Sequence, residues 1–145
     1  MKDCLIIGPF SATWYNDMTP KLISKEVRLG YKGYKEGIRI WHTNQEGEKK
    51  PIGAVWYTTL DVKRTDPFIP TATYDKDSYP VYDNYDAIEV KPYTRIPKDY
   101  EGKMGVSFTY FFYYPDLDYE IVEKRTDLHI NGKQLFQRLI IRKRK

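Results

Sequence analysis

Residues 82–108, YDNYDAIEVKPYTRIPKDYEGKMGVSF, set the strongest limit on how this chain can fold. Asp86 to Val90 has the apolar alternation of a short strand. Pro92 and Pro97 follow. Neither has a backbone N–H to donate, and each restricts the residue before it, so regular pairing is blocked and the chain is held extended. Glu101-Gly102 supplies a turn, and Met104 to Tyr114 reads as a returning strand. The stretch is a rigid connector between two strands, and the rest of the chain has to arrange itself around it.

Cys4 to Gly8 (CLIIG) is an apolar run closed by glycine and proline, which reads as a buried strand. Such a strand normally has neighbours encoded before it. We therefore expect its natural neighbour to be missing or supplied by another chain, leaving an exposed edge or a partner-covered one. Ser11 to Leu29 is the only helical part. Ser11 can cap a first short helix, and Thr19-Pro20 restarts a second, with threonine as N-cap and proline at the first helical position. Leu22, Ile23, Glu26 and Val27 mark its narrow face, and Gly30 ends it.

From Gly37 the period changes to two. Ile38, Ile40 and His42 alternate with Arg39 and Trp41, Asn44 to Lys50 is a polar turn, and Ile52 to Leu60 returns, so a β-hairpin with a charged tip is expected. Asp61 to Tyr79, with Pro67 and Pro70, reads as a long surface loop. Beyond the connector, Val106 to Tyr114 is the most apolar strand, Pro115-Asp116 turns it, and Tyr119 to Glu123 is expected to pair back. Leu128 to Ile130 meets Asn131-Gly132, a pair that tolerates positive φ and so predicts a tight hairpin. Leu135 to Ile141 reads as the last strand and Arg142 to Lys145 as a basic tail. The fold class is α+β (mixed α/β), mostly antiparallel β-sheet with one or two short N-terminal helices, expected as a single domain over residues 1–145.

The aromatic share is 16%, with 14 tyrosines, which favours strands over helices. A net charge of +4 and a pI near 9.0 suit a polyanionic partner, although the excess is modest. The single cysteine, Cys4, excludes an internal disulfide and points to a reducing, cytoplasmic compartment. No apolar run approaches the roughly 18 residues of a membrane helix, so no membrane partner is expected. His42, His129 and Cys4 lack metal-ligand spacing, and no metal is expected. Carboxylate pairs such as Asp83/Asp86 and Asp116/Asp118 more often cap turns than perform hydrolysis.

The wording of the connector resembles a known family. YDNYDAIEV, then IPKDYEG, then MGVSF, are similar to the C-terminal half of the EcoRI-type adenine-specific DNA methyltransferases. The likeness extends to the apolar strand ending in Ile-Gly, to Trp56-Tyr57-Thr58, and to NGKQLFQRLIIR near the end. It implies double-stranded DNA as partner, target recognition by loops and hairpins, and S-adenosylmethionine as the family's cofactor. Adenine N6 methylation needs a glycine-rich turn that lets backbone approach that cofactor. It also needs an (Asn/Asp/Ser)-Pro-Pro-aromatic tetrapeptide that grips the flipped base. Neither is in this sequence, and Gly8-Pro9-Phe10 is only a superficial echo.

The expectation is therefore a post-catalytic, target-recognition portion that does not bind the cofactor or catalyse alone. It would act beside a companion chain carrying the cofactor-binding and catalytic motifs. The alternatives are a free-standing DNA-binding module and an unrelated aromatic-rich β binding domain. For DNA contact the candidates are Lys49, Lys50, Lys63, Arg64, Arg142, Lys143, Arg144 and Lys145, long cations expected on tips and tails where phosphates are reachable. Tyr82 and Tyr85 lie in loop-like sequence where a ring could stack on a base. Tyr74, Tyr79 and Tyr93 share that setting.

Overall fold

A computed structural model describes residues 2–30, 38–62, 68–112 and 118–145. Strand predominates, most pairs are antiparallel, and the helical segments are short, as the sequence leads one to expect. The chain divides into two compact units, Met1–Thr65 and Asp66–Lys145. Among the described residues no helix is long and apolar enough to cross a membrane.

The first unit is built on one long strand. β1 (Leu5–Pro9) is followed by a 3-10 turn (Phe10–Trp14), helix α1 (Met18–Ile23), β2 (Arg28–Leu29), β3 (Ile38–Thr43) and β4 (Lys49–Thr58). Thr58 and Tyr57 of β4 each pair with both β1 and β2, and Ala54 pairs with both Pro9 and Ile38. β4 is therefore central, with β1 along one edge and β2 and β3 in succession along the other. The β3–β4 hairpin forms where periodicity placed it. Its turn is held by Asn44, whose Oδ1 accepts the N–H groups of Glu46 (3.1 Å) and Glu48 (2.9 Å), while Gly47 takes a φ of 81°.

Two expectations in this unit are corrected. The second helix is shorter than the sequence suggested: it starts at Met18, ends at Ile23, and Lys25 leaves it at a φ of 64°. Thr19 is not its cap. Its buried hydroxyl donates to the carbonyls of Thr13 (2.8 Å) and Tyr15 (3.0 Å), tying the helix to the preceding 3-10 turn. Arg28-Leu29 is then drawn into the sheet because Gly30 N–H bonds the Trp56 carbonyl at 2.7 Å. As expected of it, the apolar strand β1 is not covered by the described residues. It lies at the open edge, with Leu5, Ile6 and Ile7 exposed.

The second unit holds a four-stranded sheet in the order β5 (Ile88–Glu89), β6 (Met104–Ser107), β10 (Arg138–Lys143), β7 (Tyr119–Arg125), and a separate hairpin of β8 (Leu128–Ile130) and β9 (Lys133–Leu135). Leu139, Ile140 and Ile141 of β10 are each 0% exposed. A strand flanked on both edges and covered on both faces reads as a continuous apolar run. β7 carries one extra residue opposite Ile140 and Ile141, so Val122 bulges outward, where it is exposed.

The connector behaves differently from a returning hairpin. β5 and β6 pair in parallel, with Ile88 opposite Met104 and Glu89 opposite Gly105. A parallel pair needs a crossover of about a dozen residues or more, which residues 90–103 supply without a long helix. Ile96 and Pro97 of that crossover are buried. β6 is short: after Ser107 the chain turns into a 3-10 segment, Phe108–Phe112, with Tyr110 fully buried. β7 pairs with β10 and not with the strand before it. The expected turn at Pro115-Asp116 lies outside the described residues. The expected last strand is broken after Leu135, where Gln137 adopts a φ of 55°.

The β8–β9 hairpin turns at Asn131 (φ 49°) and Gly132 (φ 76°), as the Asn-Gly pair predicts. Its turn is clamped by the connector's opening words. Asp83 accepts the N–H groups of Asn131 (3.1 Å) and Gly132 (2.8 Å), and Asn84 bonds the Asp127 carbonyl (2.7 Å) and the His129 N–H (3.0 Å).

Gly105 of β6 has a reason to be glycine, since a Cβ there would collide with the Tyr82 phenol. Gly105→Ala is expected to lower unfolding free energy by about 1–3 kcal/mol through overpacking, read from urea melts. The penalty should shrink on a Tyr82→Leu background. An unchanged midpoint would mean that Tyr82 does not cover β6.

Candidate functional site

The residues singled out from sequence separate into three groups. Tyr82 is the clearest correction. It was expected in an accessible loop, but it is 4% exposed, in a core cluster with Ala87, Leu128 and Ile140. Its hydroxyl donates to Glu89. Burial, and then the neighbouring carboxylate, push the phenol well above its ordinary value, with Arg138 pulling the other way. Tyr79 is likewise buried, with its hydroxyl on the Arg95 carbonyl at 2.7 Å. Neither ring offers a face to a base.

Tyr85 stays half-buried and is ringed by charge. Its hydroxyl donates to Glu123 (2.5 Å) and receives Lys103 Nζ (3.3 Å). The Arg125 guanidinium carbon lies 4.6 Å from the ring centroid and Lys103 Nζ lies 5.2 Å from it. Arg125 is fixed by a two-pronged pair with Asp127, at 2.8 and 2.7 Å, which holds the Asp127 carboxyl below its usual range. Tyr74 and Tyr93 are used within the unit as well, Tyr74 against Tyr100 (4.6 Å) and Tyr93 edge-on to Phe68 (5.2 Å).

Of the basic candidates, Lys49 opens β4 and is exposed, and Lys50 stands opposite His42 in the backbone register of the hairpin. Lys63 and Arg64 lie outside the described residues. The C-terminal run is only partly a tail. Arg142 and Lys143 belong to β10, Arg142 pairs with Glu120 (Nε to Oε1, 3.1 Å), and Lys143 Nζ reaches the Lys98 carbonyl (3.2 Å) and Glu101 (3.6 Å). Arg144 donates its backbone N–H to the Asp118 carbonyl at 3.0 Å, and Lys145 is exposed. Sequence reading had ended the strand at Ile141, because nothing local marks these cations as ladder members.

Sequence reading missed Glu89 and Arg138. Glu89 is 8% exposed, and Arg138 Nε reaches both its carboxylate oxygens, at 2.9 and 3.1 Å. Arg138 Nη1 also donates to the Phe136 carbonyl at 2.9 Å. The pair joins β5 to β10 and lines a cleft of about 260 Å³ with Lys91, Tyr93, Ser107 and Thr109. Lys91 is exposed, so the cleft presents ammonium and hydroxyl donors beside a neutralised ion pair. Exposed Lys76, Lys98 and Lys133 were also passed over. Among the described residues no cluster of His, Cys, Asp and Glu could hold a metal ion.

Tyr82→Phe is expected to lower stability by about 1.5–3 kcal/mol at neutral pH, the range for a hydrogen bond to a charged group. Because the folded phenol is raised, its contribution is fully present below about pH 10 and is lost as pH climbs further. The variant should therefore also flatten the alkaline decline. Arg138→Met, which strands the Glu89 carboxylate, should lose about 3–5 kcal/mol, with much of that recovered when Glu89→Gln is added. Simple additivity of the two in denaturant melts would deny their coupling.

Comparison with known proteins adds relatives. The family model described as "Adenine-specific methyltransferase EcoRI" matches residues 1–144. The chain is 38% identical over 167 aligned residues to the type II methyltransferase M.EcoRI of Escherichia coli, covering 99% of this chain and 51% of that protein. It is 28% identical over 155 residues to the type II methyltransferase M.MgeORF184P of Mycoplasma genitalium, covering 90% of this chain and 49% of that protein. M.MpnI of Mycoplasma pneumoniae is 25% identical over 115 residues. The chain thus spans about half the length of the first two. No solved structure matches it.

Proposed function

The chain belongs to the family of EcoRI-type adenine-specific methyltransferases, and from that premise we propose that it is the DNA-recognition portion of such an enzyme. The observation that carries this reading is a mismatch of extent and content. The family match runs over residues 1–144, yet the chain spans about half of its relatives and has no Asn-Pro-Pro-aromatic tetrapeptide. Methyl transfer to adenine needs that grip on the flipped base. In this reading residues 1–145 act together as one recognition portion on double-stranded DNA, in the cytoplasm. A companion portion supplies cofactor and catalysis.

The family implies S-adenosylmethionine as methyl donor. The residues at Gly8-Pro9, a superficial echo of a cofactor turn, do not fit it: the space a Cβ on Gly8 would occupy faces the ring of Tyr57 at 3.2 Å. The Pro9 carbonyl is occupied by the Tyr57 hydroxyl at 2.7 Å. No step of the transfer is assigned to this chain, and we expect labelled S-adenosylmethionine to leave adenine-containing DNA unlabelled when the purified chain is added. Incorporation above a no-protein control would overturn that.

DNA affinity in this reading comes first from exposed lysines such as Lys49, Lys91, Lys133 and Lys145. Each phosphate contact should contribute about 0.9 to the slope of log affinity against log salt. Lys49→Ala with Lys145→Ala should flatten the slope by up to about two units for every duplex alike, because phosphates carry no base identity. Arg142→Ala should change it less, since that guanidinium is engaged by Glu120. Absence of salt-dependent binding by the folded chain, in anisotropy titrations, would sink the DNA reading.

A further inference from the structure

The strand that opens the first unit is finished on one side only. β1 pairs with β4, and among the described residues nothing pairs with its other edge. The register fixes which backbone groups point outward. Thr59 N–H donates to the Cys4 carbonyl at 3.1 Å, next to the Leu5–Thr58 pair, so Cys4 faces β4. Antiparallel ladders alternate. Ile6 and Gly8 therefore also turn their N–H and C=O groups toward β4. Leu5 and Ile7 turn theirs to the open edge, two residues apart along the strand.

The side chains are as unfinished as the edge. Leu5 and Ile6 are each 56% exposed and Ile7 is 42% exposed. Leu5 and Ile7 share one face with Trp56, the register partner of Ile7, which is itself 37% exposed. Ile6 lies on the opposite face. A strand that is apolar on both faces belongs in the interior of a sheet with layers on both sides. Exposed edges that proteins intend to keep open usually carry lysine, proline or a bulge. Pro9 ends the strand on that edge, but Leu5 to Ile7 carry none of these.

We propose that the outer edge of β1 is a docking site for a β-strand from the part of the methyltransferase family's length that this chain does not span. This rests on the reading that a companion portion exists. The occupant follows from two observations: the chain covers about half of its first two relatives, and the open strand needs cover on its edge and both faces together. A second copy of the chain, pairing β1 to β1, would satisfy the edge but leave the two faces bare. Strand addition here draws affinity from the main-chain groups of Leu5 and Ile7 and specificity from pockets that receive their side chains.

The register supplies a discriminating variant. Proline at position 7 removes an outward N–H and spares the bonds to β4, whereas proline at position 6 removes a bond to β4. The whole chain is co-expressed with the segment of Escherichia coli M.EcoRI that it leaves unmatched, and sedimentation reads the species formed. The expected result is a one-to-one complex in which the Leu5 and Ile7 amides gain protection from hydrogen exchange. A fluorophore on Cys4, the lone and exposed cysteine, should report the same event. Ile7→Pro should abolish the complex with the melting temperature retained, and Leu5→Lys with Ile7→Lys should do so without any proline. Ile6→Pro should instead lower the melting temperature.

No complex, a complex indifferent to Ile7→Pro and to the lysine pair, or a homodimer seated on β1 would each overturn the proposal. Salt-dependent DNA binding by the isolated chain keeps the two readings apart. If it survives while docking fails, only the docking site falls. If it is absent while docking succeeds, the recognition role falls and the docking site stands.

Discussion

Glu89 is a carboxylate placed inside a sheet, and the second unit is arranged around making that tolerable. An unpartnered charge in such a site costs several kcal/mol. Here one oxygen set serves the Arg138 guanidinium and the Tyr82 hydroxyl together. The three residues come from β5, from β10 and from the segment before β5, so satisfying one charge fixes three places of distant sequence. Gly105 is bare because Tyr82 must lie across β6 to reach Glu89. The parallel pairing of β5 with β6 keeps Glu89 level with Gly105.

The same economy governs the surface. Several cations that look free in a sequence are engaged: Arg142 by Glu120, Arg125 by Asp127, Arg28 by Asp61, and Lys21 by Glu26. Exposed pairs of this kind contribute little to stability, about 0–1 kcal/mol each. Their larger effect is on the field, since a paired guanidinium presents less charge to a polyanion. Among the described residues, exposed lysines such as Lys49, Lys91 and Lys145 remain for long-range attraction.

Much of the architecture was legible where the controlling interaction is local. The β3–β4 hairpin follows from period-two alternation around Asn44, and the β8–β9 turn from Asn131-Gly132. Helix α1 was legible in existence but not in extent, because Arg28-Leu29 answers to the Trp56 carbonyl and not to its own periodicity. The partners of β7 and β6 were not legible. Both are chosen by β10, far along the chain, and a run such as Val106 to Phe112 looks the same whether it stays extended or coils after Ser107. Tyr82 was misplaced, and the role of Glu89 missed, for the same reason. Flanked by Asp83, Asn84 and Asp86, Tyr82 reads as a surface loop until Arg138 arrives. The exposed edge of β1, in contrast, was legible, because an apolar strand without enough partners announces the shortage in its own letters.

The clamp of Asp83 on the Asn131-Gly132 turn bears on how the protein ages. Asparagine followed by glycine is the pair most prone to spontaneous deamidation. The backbone nitrogen of the glycine loses its proton and attacks the asparagine side-chain carbon, expelling ammonia and closing a succinimide ring. In this turn the Gly132 N–H is held by Asp83 Oδ2 at 2.8 Å. A carboxylate on that proton makes the nitrogen harder to ionise and turns it away from the ring-closing path. The turn that shapes the hairpin is thus also guarded chemically.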